Sequence, residues 1–142
     1  MQGRELMIFS AAEFLKLCAS ADPQDMLRSI SESASQDIWN ELIKSHRSRW
    51  IDIAQNRTIP EDIVRFLASC DDSFVRAVIA EKRNIPLDLF FVLSRDDDEI
   101  VRRKIASNRK VPDEVLFFLT SDPVESVASV ADYNWGLRSK MR

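Results

Sequence analysis

Apolar residues fall along this chain in short bursts of helical spacing, separated by prolines and acidic turns, and the bursts return at a fixed interval. Ile53-Ala54-Gln55-Asn56-Arg57-Thr58-Ile59-Pro60 comes back 26 residues later as Ile79-Ala80-Glu81-Lys82-Arg83-Asn84-Ile85-Pro86. After another 26 it returns as Ile105-Ala106-Ser107-Asn108-Arg109-Lys110-Val111-Pro112. The correspondence runs on past the prolines: Ile63, Leu89 and Val115 align, then Phe66, Val92 and Phe118, then Leu67, Leu93 and Leu119. Val75, Val101 and Val127 open the following units, and Val130-Ala131 comes one residue early, which reads as a slipped register in the last unit. Self-similarity of this period is the mark of a repeat architecture.

Each unit predicts two short helices. The second starts at the proline, whose missing N–H has no intrahelical partner in the first turn. Glu61-Asp62, Asp88 and Asp113-Glu114 follow, where the positive end of the helix dipole favours acids. Ile63, Phe66 and Leu67 then supply an i, i+3, i+4 apolar stripe. Asp71-Asp72, Asp96-Asp97-Asp98 and Asp122-Pro123 form acidic turns whose aspartates can cap the next helix. That helix carries the stripe Val75 and Ile79, or Val101 and Ile105. Helices of about ten residues are marginal alone and must stack to bury their stripes. The expectation is an all-α solenoid of helix pairs over residues 48–134.

Residues 1–47 predict a helical cap. Ser10-Ala11-Ala12-Glu13 is a capping-box pattern ahead of Phe14, Leu15 and Leu17. Asp22-Pro23 opens a second helix with Met26, Leu27 and Ile30 on one side, and Ser35 opens a third, ending at His46, that resembles the second helix of a unit. Residues 135–142 have no stripe and read as a basic, frayed tail.

Composition narrows the chemistry. The 142 residues are 45% apolar and 30% charged, as in one globular domain. No apolar run is long enough to cross a membrane, and the acidic start lacks a secretory h-region. Two cysteines, Cys18 and Cys70, suit a reducing cytoplasm rather than a disulfide framework. Two glycines, Gly3 and Gly136, leave no phosphate-cradling loop and no nucleophile elbow. The one histidine, His46, excludes a paired-histidine mechanism and reads as a helix-end residue. The expectation is no enzyme, no cofactor and no metal. A net charge of −3 disfavours a dedicated nucleic-acid binder, although Arg102-Arg103-Lys104 with Arg109-Lys110 keeps that reading as an alternative.

The pattern Val-Arg-x-x-Ile-Ala-x-Asn-x-x-Val-Pro, with its apolar helix and Asp-rich turn, resembles the leucine-rich repeat variant, a relative of HEAT repeats. The resemblance covers residues 48–134 and implies a right-handed stack of helix pairs that binds other molecules. Some members of that family hold a cysteine-ligated iron–sulfur cluster; Cys18 and Cys70 lack the partners for one. The layout also resembles small bacterial repeat proteins encoded beside polymorphic toxins, which implies binding and occluding a toxin. A general scaffold or adaptor is the other reading of such a stack.

Two sets of residues are candidates for the partner contact. Arg57, Arg83 and Arg109 stand 26 apart in the turn between the helices of each unit. They form either a solvated edge or a contact line for an anion or acidic partner. Phe91 and Phe117 lie two residues beyond Leu89 and Val115, about 200° around the helix. They either fill the groove between units or point outward as an aromatic pair of the kind that anchors protein interfaces. Arg76 and Arg102, five residues after Asp71 and Asp97, read as rungs of an Asp–Arg ladder.

Overall fold

The computed structural model describes residues 6–141 and is mostly helical. It divides into two compact units that meet in sequence between Leu67 and Ala68.

The first unit holds β1 (Met7–Ile8), α1 (Ala11–Ala19), α2 (Pro23–Ser31), β2 (Ser33–Ala34), α3 (Gln36–Ser45), a 3-10 turn (Arg47–Arg49), α4 (Trp50–Gln55) and α5 (Glu61–Ala68). The two short strands, which the helical pattern did not announce, pair in parallel with Met7 opposite Ser33 and Ile8 opposite Ala34. Ser10 caps α1 by accepting from the Glu13 N–H at 3.0 Å. The Glu13 carboxylate reaches back to the Phe9 N–H at 2.8 Å, one residue before the position expected of a capping box. Asp22 and Ser35 cap α2 and α3 as the sequence suggests. The core is Ile8, Phe14, Leu17, Trp39, Leu42, Ile53 and Leu67, whereas α2 buries none of its side chains and leaves Met26 and Leu27 exposed. Trp50 donates its indole N–H to the Ile43 carbonyl at 3.0 Å. Trp39 lies edge-on to Phe14, and its buried indole N–H has no partner among the described residues.

The second unit holds α6 (Ser73–Glu81), α7 (Leu87–Leu93), α8 (Glu99–Ser107), α9 (Asp113–Leu119) and α10 (Glu125–Lys140). Here α8 packs against both α6 and α10, and α9 packs against α10. Asp72 and Asp98 cap α6 and α8 through the Phe74 and Ile100 N–H groups at 2.9 and 2.8 Å. Pro86 and Pro112 sit one place earlier than expected, as the cap residues of α7 and α9 rather than their first helical residues. Val75 and Ile79, then Val101 and Ile105, then Val127 and Ala131 are all buried on the facing helices. The last pair keeps the 26-residue spacing, so Ala131 stands in the isoleucine place and the slip read from Val130-Ala131 does not occur.

The stripe on the second helices differs from the expected one. Leu89, Phe90 and Leu93 are buried on α7, and Val115, Leu116 and Leu119 on α9; Ile63, Val64 and Leu67 do the same on α5. The buried set is thus i, i+1, i+4, while Phe66, Val92 and Phe118 are exposed. Each helix is turned by about 60° from the i, i+3, i+4 orientation, at 100° per residue.

An asparagine ladder ties turns to earlier carbonyls. The buried Asn108 donates to the Ala80 and Lys82 carbonyls, both at 2.8 Å, and accepts from the Lys110 N–H at 2.9 Å. Asn134 repeats the first of these bonds on Ala106 at 2.9 Å. In the first unit Asn56 bonds the Ser29 and Glu32 carbonyls at 2.9 Å. After Asn134 no proline follows, so nothing breaks the helix. Residues 135–140, expected to fray, are the continuation of α10. Arg138 anchors them through the Val111 carbonyl at 2.7 Å and the Asp113 carboxylate at 2.9 Å.

Arg76 and Arg102 do form rungs, but with aspartates twenty residues downstream rather than with Asp71 and Asp97. Arg76 pairs with Asp96, and Arg102 with Asp122, through two guanidinium nitrogens each, the shorter contact being 2.8 Å in both. The same guanidinium groups also cap the preceding turns, on the Cys70 and Asp96 carbonyls at 2.9 and 2.7 Å. Burial alone would raise the Asp122 carboxyl; the hydrogen bonds from Arg102 and the Val124 N–H outweigh it and hold it below the ordinary carboxylate range. A depressed folded-state pKa gives stability that is present above the unfolded value, about 3.9, and lost as pH falls through the folded one. Asp122→Asn should therefore lower stability at pH 7 and flatten its decline below about pH 4. Urea melts of both proteins across pH 2–7 check this; parallel pH profiles would show the pair to be electrostatically idle.

Candidate partner-binding surfaces

Turning the second helices leaves two large apolar side chains of each exposed. On α7 the exposed pair is Leu87 and Val92, at 65% and 58% exposure, and on α9 it is Phe117 and Phe118, with Phe117 at 59%. Phe117 meets the Trp135 ring of α10 at 5.3 Å between centroids. The Arg95 guanidinium, just past α7, lies 4.4 Å from the Phe118 ring and joins the outer sides of α7 and α9 into one surface. Of the two placements the sequence left open, Phe117 takes the outward one. Phe91 is only half-buried, and Val92 takes the exposed place beside it. Sequence reasoning missed Leu87, Val92 and Phe118, because the last two had been assigned to the core.

The arginines separate into two settings. Arg57 is exposed in the first unit, where its backbone N–H donates to the Ile30 carbonyl at 2.7 Å. Arg83 and Arg109 line one groove of about 270 Å³ in the second unit, together with Glu81, Arg103, Lys104, Ser107, Asn108 and Val130. The groove is built from the end of α6 and the turn after it, the outer side of α8 and the turn after it, and Val130 of α10. Lys104 pairs with Glu81. Arg103 touches the Ser126 hydroxyl at 3.4 Å, and Asn108 is spent on the backbone. The Arg83 and Arg109 guanidinium groups make no hydrogen bond or ion pair among the described residues. Of the basic cluster Arg102-Arg103-Lys104, only Arg103 and Lys104 reach this groove, since Arg102 is held by Asp122.

The reactive groups elsewhere are subdued. Burial pushes the Cys18 thiol up to about 11, aided by Asp52, and burial also raises Cys70. His46 is the residue that ends α3, its N–H on the Leu42 carbonyl at 2.9 Å. The buried Glu32 is neutralised by Arg28 at 2.7 Å. Among the described residues no cluster of His, Cys, Asp or Glu has the makings of a metal site, and no helix is long and apolar enough to cross a membrane. Compared with protein-family models, with curated proteins and with solved structures, the chain finds no match.

Proposed function

We propose that this chain is a non-enzymatic protein-binding module built as an α-solenoid, and that its role is that of a cytoplasmic bacterial immunity protein which binds and occludes a toxin. The observation that carries the binding reading is the exposure of Val92 on α7 and of Phe117 and Phe118 on α9, with Arg95 of the turn after α7 lying over the Phe118 ring between them. Exposed apolar side chains scattered singly need no explanation, but a contiguous set rimmed by charge is the pattern of an interaction site. Here the rim is Arg95, with Asp88 and Glu114 exposed on the same two helices. Covering the exposed part of Phe117 alone would remove on the order of 100 Å² from water, or about 2.5 kcal/mol. An aromatic anchor of that size, already steadied by Trp135, loses little freedom on binding. The subdued thiols and the lone helix-end histidine support a reading without chemistry. The toxin assignment rests on the resemblance of the whole layout, with its Phe14-Leu15-Lys16-Leu17 start, its Trp39 helix and its three repeats, to toxin-linked repeat proteins.

The test is capture from the native cells with wild type and with Val92→Arg/Phe117→Arg. Both substituted side chains are exposed, so the double variant should keep its circular dichroism and lose no more than about 1.5 kcal/mol, chiefly from the Phe117–Trp135 contact. A partner held by wild type should be absent from the variant. Co-expression of the captured protein should then arrest growth, relieved by the wild-type chain and not by the variant. A captured protein that is harmless when expressed alone would turn the assignment to a scaffold or adaptor.

A further inference from the structure

We infer that the groove between Arg83, Arg103, Lys104 and Arg109 is a binding site for an acidic peptide segment, a run of carboxylates on the partner protein. This deepens the protein-binding reading above and rests on it, but it uses a different surface. Four cations and one carboxylate line the groove, in a chain whose net charge is −3. The unit's other described arginines all have partners within the fold: Arg76 on Asp96, Arg102 on Asp122, Arg138 on Asp113, Arg95 over the Phe118 ring and Arg103 on the Ser126 hydroxyl. Arg83 and Arg109 are the exceptions, since folding gives their guanidinium groups no partner among the described residues, and they face one volume from successive turns. Two positive groups gathered without a counter-charge repel each other, and an incoming anion removes that repulsion as it binds.

The occupant's chemistry follows from the lining. The groove already holds one carboxylate, Glu81 on Lys104, so its geometry accepts that group. A guanidinium presents a planar fork that grips a carboxylate through two parallel hydrogen bonds. Val130 and the methylene stems of Arg103 and Lys104 offer apolar contact to the intervening chain. A volume of about 270 Å³ takes a few side chains. Nucleic acid fits less well. The lining has no aromatic ring on which a base could stack.

The experiment measures fluorescence polarisation of a labelled octapeptide of alternating glutamate and alanine, and of a labelled oligothymidylate of equal charge, against the full chain. Wild type should bind the peptide, more tightly than the oligonucleotide. Arg83→Glu/Arg109→Glu should weaken the peptide at least tenfold. A control with the same change in net charge, Lys16→Glu/Lys44→Glu on exposed positions of the first unit, should shift it less than threefold. Equal losses in both variants would reduce the effect to overall charge and overturn the site. Tighter binding of the oligonucleotide, lost in the groove variant, would overturn the peptide in favour of nucleic acid, and no binding to wild type would overturn both. The Val92→Arg/Phe117→Arg variant should retain the peptide at wild-type affinity. A failure of the apolar surface in cells is thereby distinguishable from a failure of the groove.

Discussion

Ile105→Ala is expected to destabilise the folded chain by roughly 2–5 kcal/mol. Ile105 is 0% exposed, and α8, which carries it, is packed on both flanks by α6 and α10. Ile79 and Ala131, at the equivalent places on those neighbours, are equally buried, so the lost methylenes leave a void bounded by helices that have other contacts to keep. Such a site collapses poorly, and the cost then exceeds the transfer free energy of the atoms removed. Arg83→Ala, an exposed side chain without a folded-state partner among the described residues, should stay within about 0.5 kcal/mol. Urea melts followed by circular dichroism rank the two. The opposite ranking would mean that inside and outside have been exchanged.

Asn108→Ala should cost about 2–4 kcal/mol for a different reason. The side chain satisfies two carbonyls and one N–H at 2.8 to 2.9 Å, and alanine leaves all three without that partner, the Ala80 carbonyl in a buried place. Asn108→Asp should be no milder at pH 7, because a carboxylate facing the Ala80 and Lys82 carbonyls can accept but cannot donate. Protonation supplies the missing donor, so the aspartate variant's deficit should shrink as pH falls below the carboxyl's raised folded-state pKa. Asn134→Ala, which deletes a single bond on a half-buried residue, should cost about 1 kcal/mol. If Asn108→Ala melted with wild type, the ladder would be a by-product of packing rather than one of its supports.

Local signals were legible because their chemistry is local. The caps Ser10, Asp22, Ser35, Asp72 and Asp98 act within three residues, and each can be named from the sequence. Helix rotation was not, since Val64, Phe90 and Leu116 are as apolar as Phe66, Val92 and Phe118. Two stripes of equal hydrophobicity share each helix, and only the neighbours decide which one is covered. The partners of Arg76 and Arg102 lie twenty residues away, a distance along the chain that local spacing does not report. At the last unit hydropathy favours Val130 over Ala131, yet Asn134 already marks the true register, 26 residues after Asn108. The frayed tail was a misjudgement of the same kind: the informative fact was a missing proline, not a missing stripe. Of the groove, spacing supplied Arg83 and Arg109, while Arg103 and Lys104 needed the phase of α8.

The half-buried thiols make the molecule convenient for covalent labelling. With its pKa at about 11, Cys18 is thiolate in only about one molecule in ten thousand at pH 7, against a few in a hundred for an ordinary exposed cysteine. Maleimides and other thiolate-seeking probes thus have little native target there, and Cys70 is shifted in the same direction. A single cysteine introduced at the exposed Leu87 or Arg83, with Cys70 replaced by serine, would be labelled well ahead of Cys18. Each proposed surface can in this way be fitted with its own reporter.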